Sequence, residues 1–304
     1  MILIMRKEKE KMYKKASFKN SFEAYFFILP AFVIYVIVVL KPLLNTIVLS
    51  FYEWDGASEK IFVFLKNYQK LFSDPIFLTA LRNNLAWIVA SIFIPMILGL
   101  LLAVLLWSIK NQRIRFLFQT SYFMPVIPSL IIVGIIWGWI YNPVFGAANK
   151  ILKMIGLGAL SRGWLGSPVW ALPSVILAGN WTFFGFCMTI FLAGLQNIDK
   201  NLFEAAIIDG ANRIQSFRYI TIPSLRNQIN LLIIYILIGS FKVFDIVYVM
   251  TKGGPFNSTE VVGTYMYTRA FEHSLVGYGS SMATILALIV SISTLIFLRL
   301  REEK

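Results

Sequence analysis

Apolar residues along this chain arrive in long unbroken blocks divided by short charged clusters, not in the brief periodic stripes of a soluble core. Leu85–Ile109 and Ser274–Leu298 each run 25 residues without a formal charge. A membrane-crossing helix needs about 20 predominantly apolar residues, so each block predicts one span. Ala24–Leu40 supplies 17 uncharged residues, and Pro42–Phe51 completes that span with the Lys41 head at the interface. Two blocks are too long for one straight helix. Phe116–Asn149 has 34 uncharged residues and predicts a helix over 119–140, bent early by Pro125 and Pro128. Gly146 and Asn149 then fall in the following loop. Gly163–Ile198 has 36 such residues; Gly166, Ser167 and Pro168 suit a turn, leaving a helix over 171–194. A less regular span is predicted over 228–250, where Lys242 and Asp245 interrupt the apolar run. The pattern therefore predicts an all-α multi-pass membrane protein with helices over 24–51, 85–109, 119–140, 171–194, 228–250 and 274–298.

Composition sharpens this reading. Apolar residues make up 58% of the 304 positions and charged residues 14%, with a mean hydropathy of +0.72. A soluble domain carries about 25% charged residues, so a pair of soluble domains is excluded. The net charge of +13 sits mostly between apolar blocks, where membrane topology and anionic lipid explain it better than nucleic acid does. The termini with 108–118 and 195–229 hold 17 of the 28 Lys and Arg, which predicts both ends in the cytoplasm. Residues 1–23 carry a basic stretch from Arg6 to Lys19 with no small-residue cleavage site, and are expected to remain as a cytoplasmic segment.

Candidate chemistry is sparse. Cys187 and His273 are each single, so a Cys/His zinc site is excluded and Cys187 reads as a small buried hydrophobe. No GxxxxGK[ST] phosphate loop, GxSxG or HExxH segment occurs, which predicts a chain that is not itself an enzyme and holds no cofactor. Lys242 and Asp245 are three apart, spaced for an ion pair near the interface or for lining a polar path. Thr251–Pro255 reads as a rigid exterior turn.

The segment 199–223 differs from its neighbours. Asp199 is placed to cap a helix whose Leu202, Phe203, Ala206 and Ile207 form an apolar face. Gly210 ends it with a positive-φ turn, and Asn212 with Gln215 suits a reciprocal cap on a second helix. Pro223 turns the chain back toward the membrane. The result is a helix–turn–helix suited to protein docking rather than DNA.

That segment resembles the EAA loop of binding-protein-dependent ABC importer permeases, most closely the sugar branch related to the maltose-type permease. Glu204-Ala205-Ala206 matches the signature triplet, Asp209-Gly210-Ala211 follows at the family spacing, and Ile220 to Pro223 closes it. Asp199 stands where the family commonly has Pro. The resemblance extends over roughly 22–300, through Tyr52-Glu53-Trp54, Asn67-Tyr68, Pro125, Trp137 and Thr251–Pro255. It implies a six-helix type I ABC importer transmembrane domain in a bacterial or archaeal cell membrane, with the permease core over 80–300. It also implies ATPase coupling through Glu204, Ala205, Ala206, Asp209, Gly210, Ala211, Phe217 and Pro223. The implied partners are a second permease in a heterodimer, two cytosolic ATPase domains holding ATP and Mg, an extracytoplasmic solute-binding protein and a carbohydrate substrate. Trp137, Trp181, Phe184 and Tyr248, with Lys242 and Asp245, are the candidate translocation-path residues; the aromatic ones either contact sugar rings or pack helices. Glycerol-phosphate esters, and an ion-coupled carrier using Lys242 and Asp245, are the alternatives.

Overall fold

Four uninterrupted helices among the described residues are long and apolar enough to cross a membrane, and two bent helix pairs bring the set to six. The computed structural model describes residues 25–302, with side chains described through Arg299, so the expectation for residues 1–23 lies outside the described residues. In chain order, α1 (Tyr25–Leu49) leads into a hairpin of β1 (Tyr52–Glu53) and β2 (Ile61–Phe62), with Tyr52 opposite Phe62. Then come α2 (Lys66–Phe72), α3 (Pro75–Ser108), α4 (Gln112–Phe123), α5 (Leu130–Ile140), α6 (Ala147–Met154) and α7 (Ala171–Gln196). The loop helices α8 (Lys200–Ile208) and α9 (Arg213–Ser224) precede α10 (Arg226–Phe241). After α11 (Asp245–Thr251) and α12 (Val262–Tyr267), α13 (Val276–Glu302) closes the chain.

The structure corrects several sequence-based boundaries. The helix predicted over 85–109 begins at Pro75, capped by Asp74, because Arg82 rides on a helix that extends past the apolar run. The helix predicted over 119–140 is two helices: Gln112–Val126 and Leu130–Ile140 meet at 92°, since Pro125 and Pro128 both lack the donor a continuous ladder needs. The segment 228–250 is also divided, because α10 ends at Phe241 and α11 begins at Asp245. Lys242 lies within that break and Asp245 opens α11; they make no ion pair with each other, whereas Lys66 pairs with Glu53 at 3.2 Å. Gly146 and Asn149 belong to α6, the first as its cap and the second within it.

Proline also explains two local widenings. The π turn Val36–Leu40 closes at Lys41, just before Pro42, and the π turn Phe217–Thr221 closes at Ile222, just before Pro223. In each case the ring removes the donor that the carbonyl four residues back would have used, and the ladder shifts by one residue.

Helix α7 is the centre of the bundle. Two-thirds of its apolar window (67%) is buried in the chain, against 0% for α1, so α7 faces protein over most of its surface and α1 lies at the periphery. The most extensive packing is α7 on α3, where Gly99 permits contact: a Cβ there would sit 2.7 Å from the Cys187 Cβ and the Met188 nitrogen. Around that crossing Met96, Ala103 and Leu106 of α3 meet Cys187, Met188 and Phe191 of α7, with Leu232 and Ile236 of α10.

Polar side chains tie the first turns of α3 to the distant segment between α11 and α13. Asn84, fully buried, accepts from the Val262 nitrogen and donates to the Ser240 carbonyl, both at 2.9 Å. That carbonyl is one the break after α10 strips of a helical partner, and a side chain supplies the replacement that a membrane interior demands. Asn83 donates to the carbonyls of Ser258 and Glu260 at 3.0 and 2.8 Å. Asp74 accepts from the hydroxyls of Tyr265 and Tyr278 at 2.5 and 2.7 Å while capping α3.

Candidate translocation cavity and coupling loop

The break between α10 and α11 and the one before α5 open onto one cavity of about 340 Å³, lined by residues of α3, α7 and α10 and by both breaks. Trp87 and Phe244 line it beside a cluster of three rings: Phe183 and Phe186 of α7 lie 5.5 and 5.3 Å from Tyr235 of α10, and Phe183 is parallel to Tyr235 within 7°. The polar side carries Ser91, Asn180, Thr182 and Ser240. Thr182 is already engaged, donating to the Gly179 carbonyl at 2.7 Å. Asn180 is different: its side-chain amide nitrogen is buried and has no protein partner. A buried donor without an acceptor costs about 1–3 kcal/mol. At a cavity wall, that cost is relieved by whatever occupies the cavity.

Lys242 and Asp245 both line this cavity, brought there by the break that separates them. Trp137, Trp181, Phe184 and Tyr248 lie outside its lining. Trp137 packs against Tyr141 and Trp181, with centroids 5.1 and 5.9 Å away. Phe184 sits where α7 meets α3, its carbonyl 2.9 Å from where a Cβ on Gly99 would fall. Tyr248 stacks on Phe244 at 5.2 Å and donates to Glu272 at 3.3 Å. The lining residues Asn180, Phe183 and Phe186 lie within two positions of Trp181 or Phe184, and Phe183 with Phe186, three apart, share a face turned away from Trp181. Sequence reasoning missed them because α7 is apolar on every side and offers no stripe from which to choose a face.

Where α7 ends, α8 and α9 form a two-helix loop. Asp199 caps α8 through the Asn201 nitrogen at 3.0 Å. The helix ends in a Schellman arrangement: the Ala211 nitrogen donates to the Ala206 carbonyl at 2.8 Å and the Gly210 nitrogen to Ile207 at 3.1 Å, with Gly210 at φ 77°. Asn212 and Gln215 then cap α9 reciprocally, at 2.9 and 2.8 Å. Glu204, Ala205, Asp209, Gly210 and Pro223 are exposed, whereas Ala206, Ala211 and Phe217 are half-buried. Phe203 turns inward, while Leu202, Ile207, Ile208 and Ile214 face outward, Ile208 to 85%. Outside the bilayer, such an apolar surface marks a protein contact.

On the opposite face, Thr251–Pro255 is a closed turn, with a cis bond between Gly254 and Pro255. The Thr251 and Thr259 hydroxyls are 2.7 Å apart, and Thr259 also donates to the Gly254 carbonyl at 2.7 Å. Beside it the Glu260 carboxylate is nearly enclosed, and burial pushes its pKa up against the pull of Thr264 and Arg269.

A membrane bundle with a cavity at its broken helices and a capped two-helix loop at one face is the architecture of an ABC importer permease. The chain belongs to the family of binding-protein-dependent transport system inner membrane components, whose model matches residues 96–303. It is therefore a non-catalytic transmembrane permease subunit of a binding-protein-dependent ABC importer, a class assembled from permeases, ATPases and a solute-binding protein. It is 37% identical over 272 residues to the probable ABC transporter permease protein YurN of Bacillus subtilis, covering 89% of this chain and 93% of that one. It is 34% identical over 298 residues to the lactose transport system permease protein LacF of Rhizobium radiobacter, covering 95% and 98%. In fold it is similar to a subunit in the crystal structure of a bacterial ABC transporter involved in import of the acidic polysaccharide alginate. That likeness has a TM-score of 0.82 at 23% identity and covers 95% of this chain and 98% of the other.

Proposed function

We propose that this permease imports a sugar or oligosaccharide through the cavity between α3, α7 and α10, as a heterodimer with a second permease over two cytosolic ATPase domains. The observation that carries the reading is Asn180, a buried donor without a partner, set beside the rings of Phe183, Phe186 and Tyr235. Sugars offer hydroxyl oxygens to amide donors and C–H faces to aromatic rings, so a cavity with both suits them. The relatives named for transport of lactose and of starch degradation products support the same class. In this reading a solute-binding protein outside the cell delivers substrate, and both termini lie in the cytoplasm, as the 17 Lys and Arg on that side favour. ATP with Mg closes the partner ATPases, and the motion enters the permease through Glu204, Ala205, Ala206, Asp209, Gly210, Ala211, Phe217 and Pro223. A second reading, a glycerol-phosphate ester, is favoured by Lys242, which lines the cavity without an ion-pair partner.

Reconstituted transporter assayed for uptake and for substrate-stimulated ATP hydrolysis tests both. Asn180→Leu is expected to raise the half-saturation concentration about tenfold at unchanged assembly, the equivalent of one hydrogen bond. Lys242→Gln is expected to spare sugar uptake, and its selective loss of phosphate-ester uptake would favour the second reading. Unaltered sugar uptake by Asn180→Leu overturns the cavity assignment, and ATP-independent flux by the single chain would point to an ion-coupled carrier.

A further inference from the structure

Helix α6 has an apolar face that the rest of the chain leaves uncovered. Ile151, Met154 and Ile155 share one side at helical spacing, with Met154 77% exposed. Lys150 and Lys153 flank that side, Lys150 one turn before Met154 and Lys153 the farther round from Ile151. A water-facing helix would bury those three and expose the lysines; here both sides are open.

The helix is held firmly in that posture. Asn149 donates to the Arg162 carbonyl at 3.0 Å and accepts from the Arg162 nitrogen at 3.2 Å and the Trp164 ring nitrogen at 2.9 Å. The Arg162 guanidinium lies over the Trp170 ring at 4.1 Å. Thus α6, its turn and the start of α7 form one braced unit.

Its surroundings identify the occupant. The exposed side of α5, with Ile135, Ile136 and Trp139, is apolar in a spanning segment, as a lipid-facing side is, and α6 begins seven residues after α5 ends. The apolar face of α6 continues that lipid-facing belt at its edge. Charge agrees: residues 142–170 hold Lys150, Lys153 and Arg162 and no Asp or Glu, whereas 52–84 and 251–273 both contain acids. Cationic side chains around an apolar stripe, beside tryptophans, match an interface of anionic headgroups over acyl chains.

We propose that α6 lies in the membrane–water interface on the side opposite α8, with Ile151, Met154 and Ile155 among acyl chains and Lys150 and Lys153 on lipid phosphates. The anchor fixes the height of the α5–α7 connection beside the cavity. It rests on the chain being membrane-embedded and not on what is transported.

Nitroxide labels at Ile151→Cys, Met154→Cys, Lys150→Cys and Lys153→Cys test this in the assembled transporter, in nanodiscs of phosphatidylcholine with phosphatidylglycerol. Cys187 is fully buried and stays in place, with the unsubstituted chain giving the background. Labels at 151 and 154 are expected to collide several-fold more with oxygen, relative to a nickel chelate, than labels at 150 and 153, as for a face about 5–10 Å deep. Nickel reaching 151 as freely as 153 overturns the proposal, since the face is then in water. Shielding of 151 and 154 from both reagents also overturns it, because protein then covers them, whether a second permease or a binding protein. In a separate variant, Lys150→Glu with Lys153→Glu is expected to shift the 154 label toward nickel; an unchanged profile refutes the phosphate contact. Uptake assays have no bearing on either readout.

Discussion

Phe203 of α8 packs its ring against Trp107, the penultimate residue of α3, with centroids 5.4 Å apart and planes at 49°. Through this contact the docking loop joins the core between α3, α7 and α10, because Phe203 and Trp107 both pack on that cluster. The same α3 lines the cavity with Trp87 and Ser91. One continuous helix therefore connects the proposed ATPase-facing surface with the proposed path.

Cutting that link is expected to separate docking from transport. Trp107→Ala and Phe203→Ala each lose an aromatic pairing of about 0.5–1.5 kcal/mol beyond simple burial. Copurification of the ATPase should persist, since Glu204, Ile207 and Ile208 remain in place, while stimulated hydrolysis and uptake fall together. The double variant should be little worse than either single one, as contacting residues are not additive. Fully additive losses would show that the two rings act separately, and Trp107→Phe should restore most activity.

Gly210 provides a graded test of the loop itself. At φ 77° a Cβ is strained although nothing crowds it, so Gly210→Ala is expected to cost about 1–2 kcal/mol. Gly210→Pro also removes the N–H that donates to the Ile207 carbonyl and fixes φ at the wrong sign. Proteolysis of the loop and ATPase copurification should rank the native chain, then Ala, then Pro; equal behaviour of Ala and Pro would rule out the turn as the cause.

The spans and the docking loop were legible in the sequence for different reasons. Hydrocarbon thickness forces long uncharged blocks, so Leu85–Ile109 and Ser274–Leu298 declare themselves by length. Asp199, Gly210 and the Asn212–Gln215 pair declare themselves because caps are local chemistry. The break at 242–244 was not legible: it is stabilised by Asn84, 156 positions from the Ser240 it serves. Nor was the cavity-facing side of α7, where the choice between Phe184 and Phe183 depends on neighbours distant in sequence. Lys242 and Asp245 were found as the polar exceptions in their block, but their relation was set by the break.

Asp74 gives the chain an acid-sensitive joint. Burial raises its pKa, but the hydroxyls of Tyr265 and Tyr278 and the nitrogens of Ile76 and Phe77 outweigh it and hold the carboxyl below 3.8. A depressed carboxyl contributes stability that is complete above its unfolded value and disappears as pH falls through the folded one. Thermal stability in detergent should therefore drop in that acid window, less steeply in Asp74→Asn. Tyr265→Phe, removing one donor, should move the acid limb to higher pH; an unmoved limb would mean the hydroxyl does not stabilise the charge.

The orientation can be read at two side chains the fold leaves open. Phe256, 90% exposed in the Thr251–Val261 segment, and Ile208, 85% exposed after the EAA triplet, lie on opposite faces of the bundle. Cys187 is fully buried at the α3–α7 crossing and should contribute little background. With cytoplasmic termini, Phe256→Cys reacts with a membrane-impermeant maleimide in intact cells and Ile208→Cys only after permeabilisation. Adding the ATPase to inside-out vesicles should then protect Ile208→Cys, because docking covers the surface it stands on, while leaving a label site at Phe256 unaffected. Labelling of Ile208→Cys from outside intact cells would invert the bundle and remove the α8–α9 loop from any cytosolic partner. Cytoplasmic reactivity without protection by the ATPase would keep the topology but move the docking contact elsewhere.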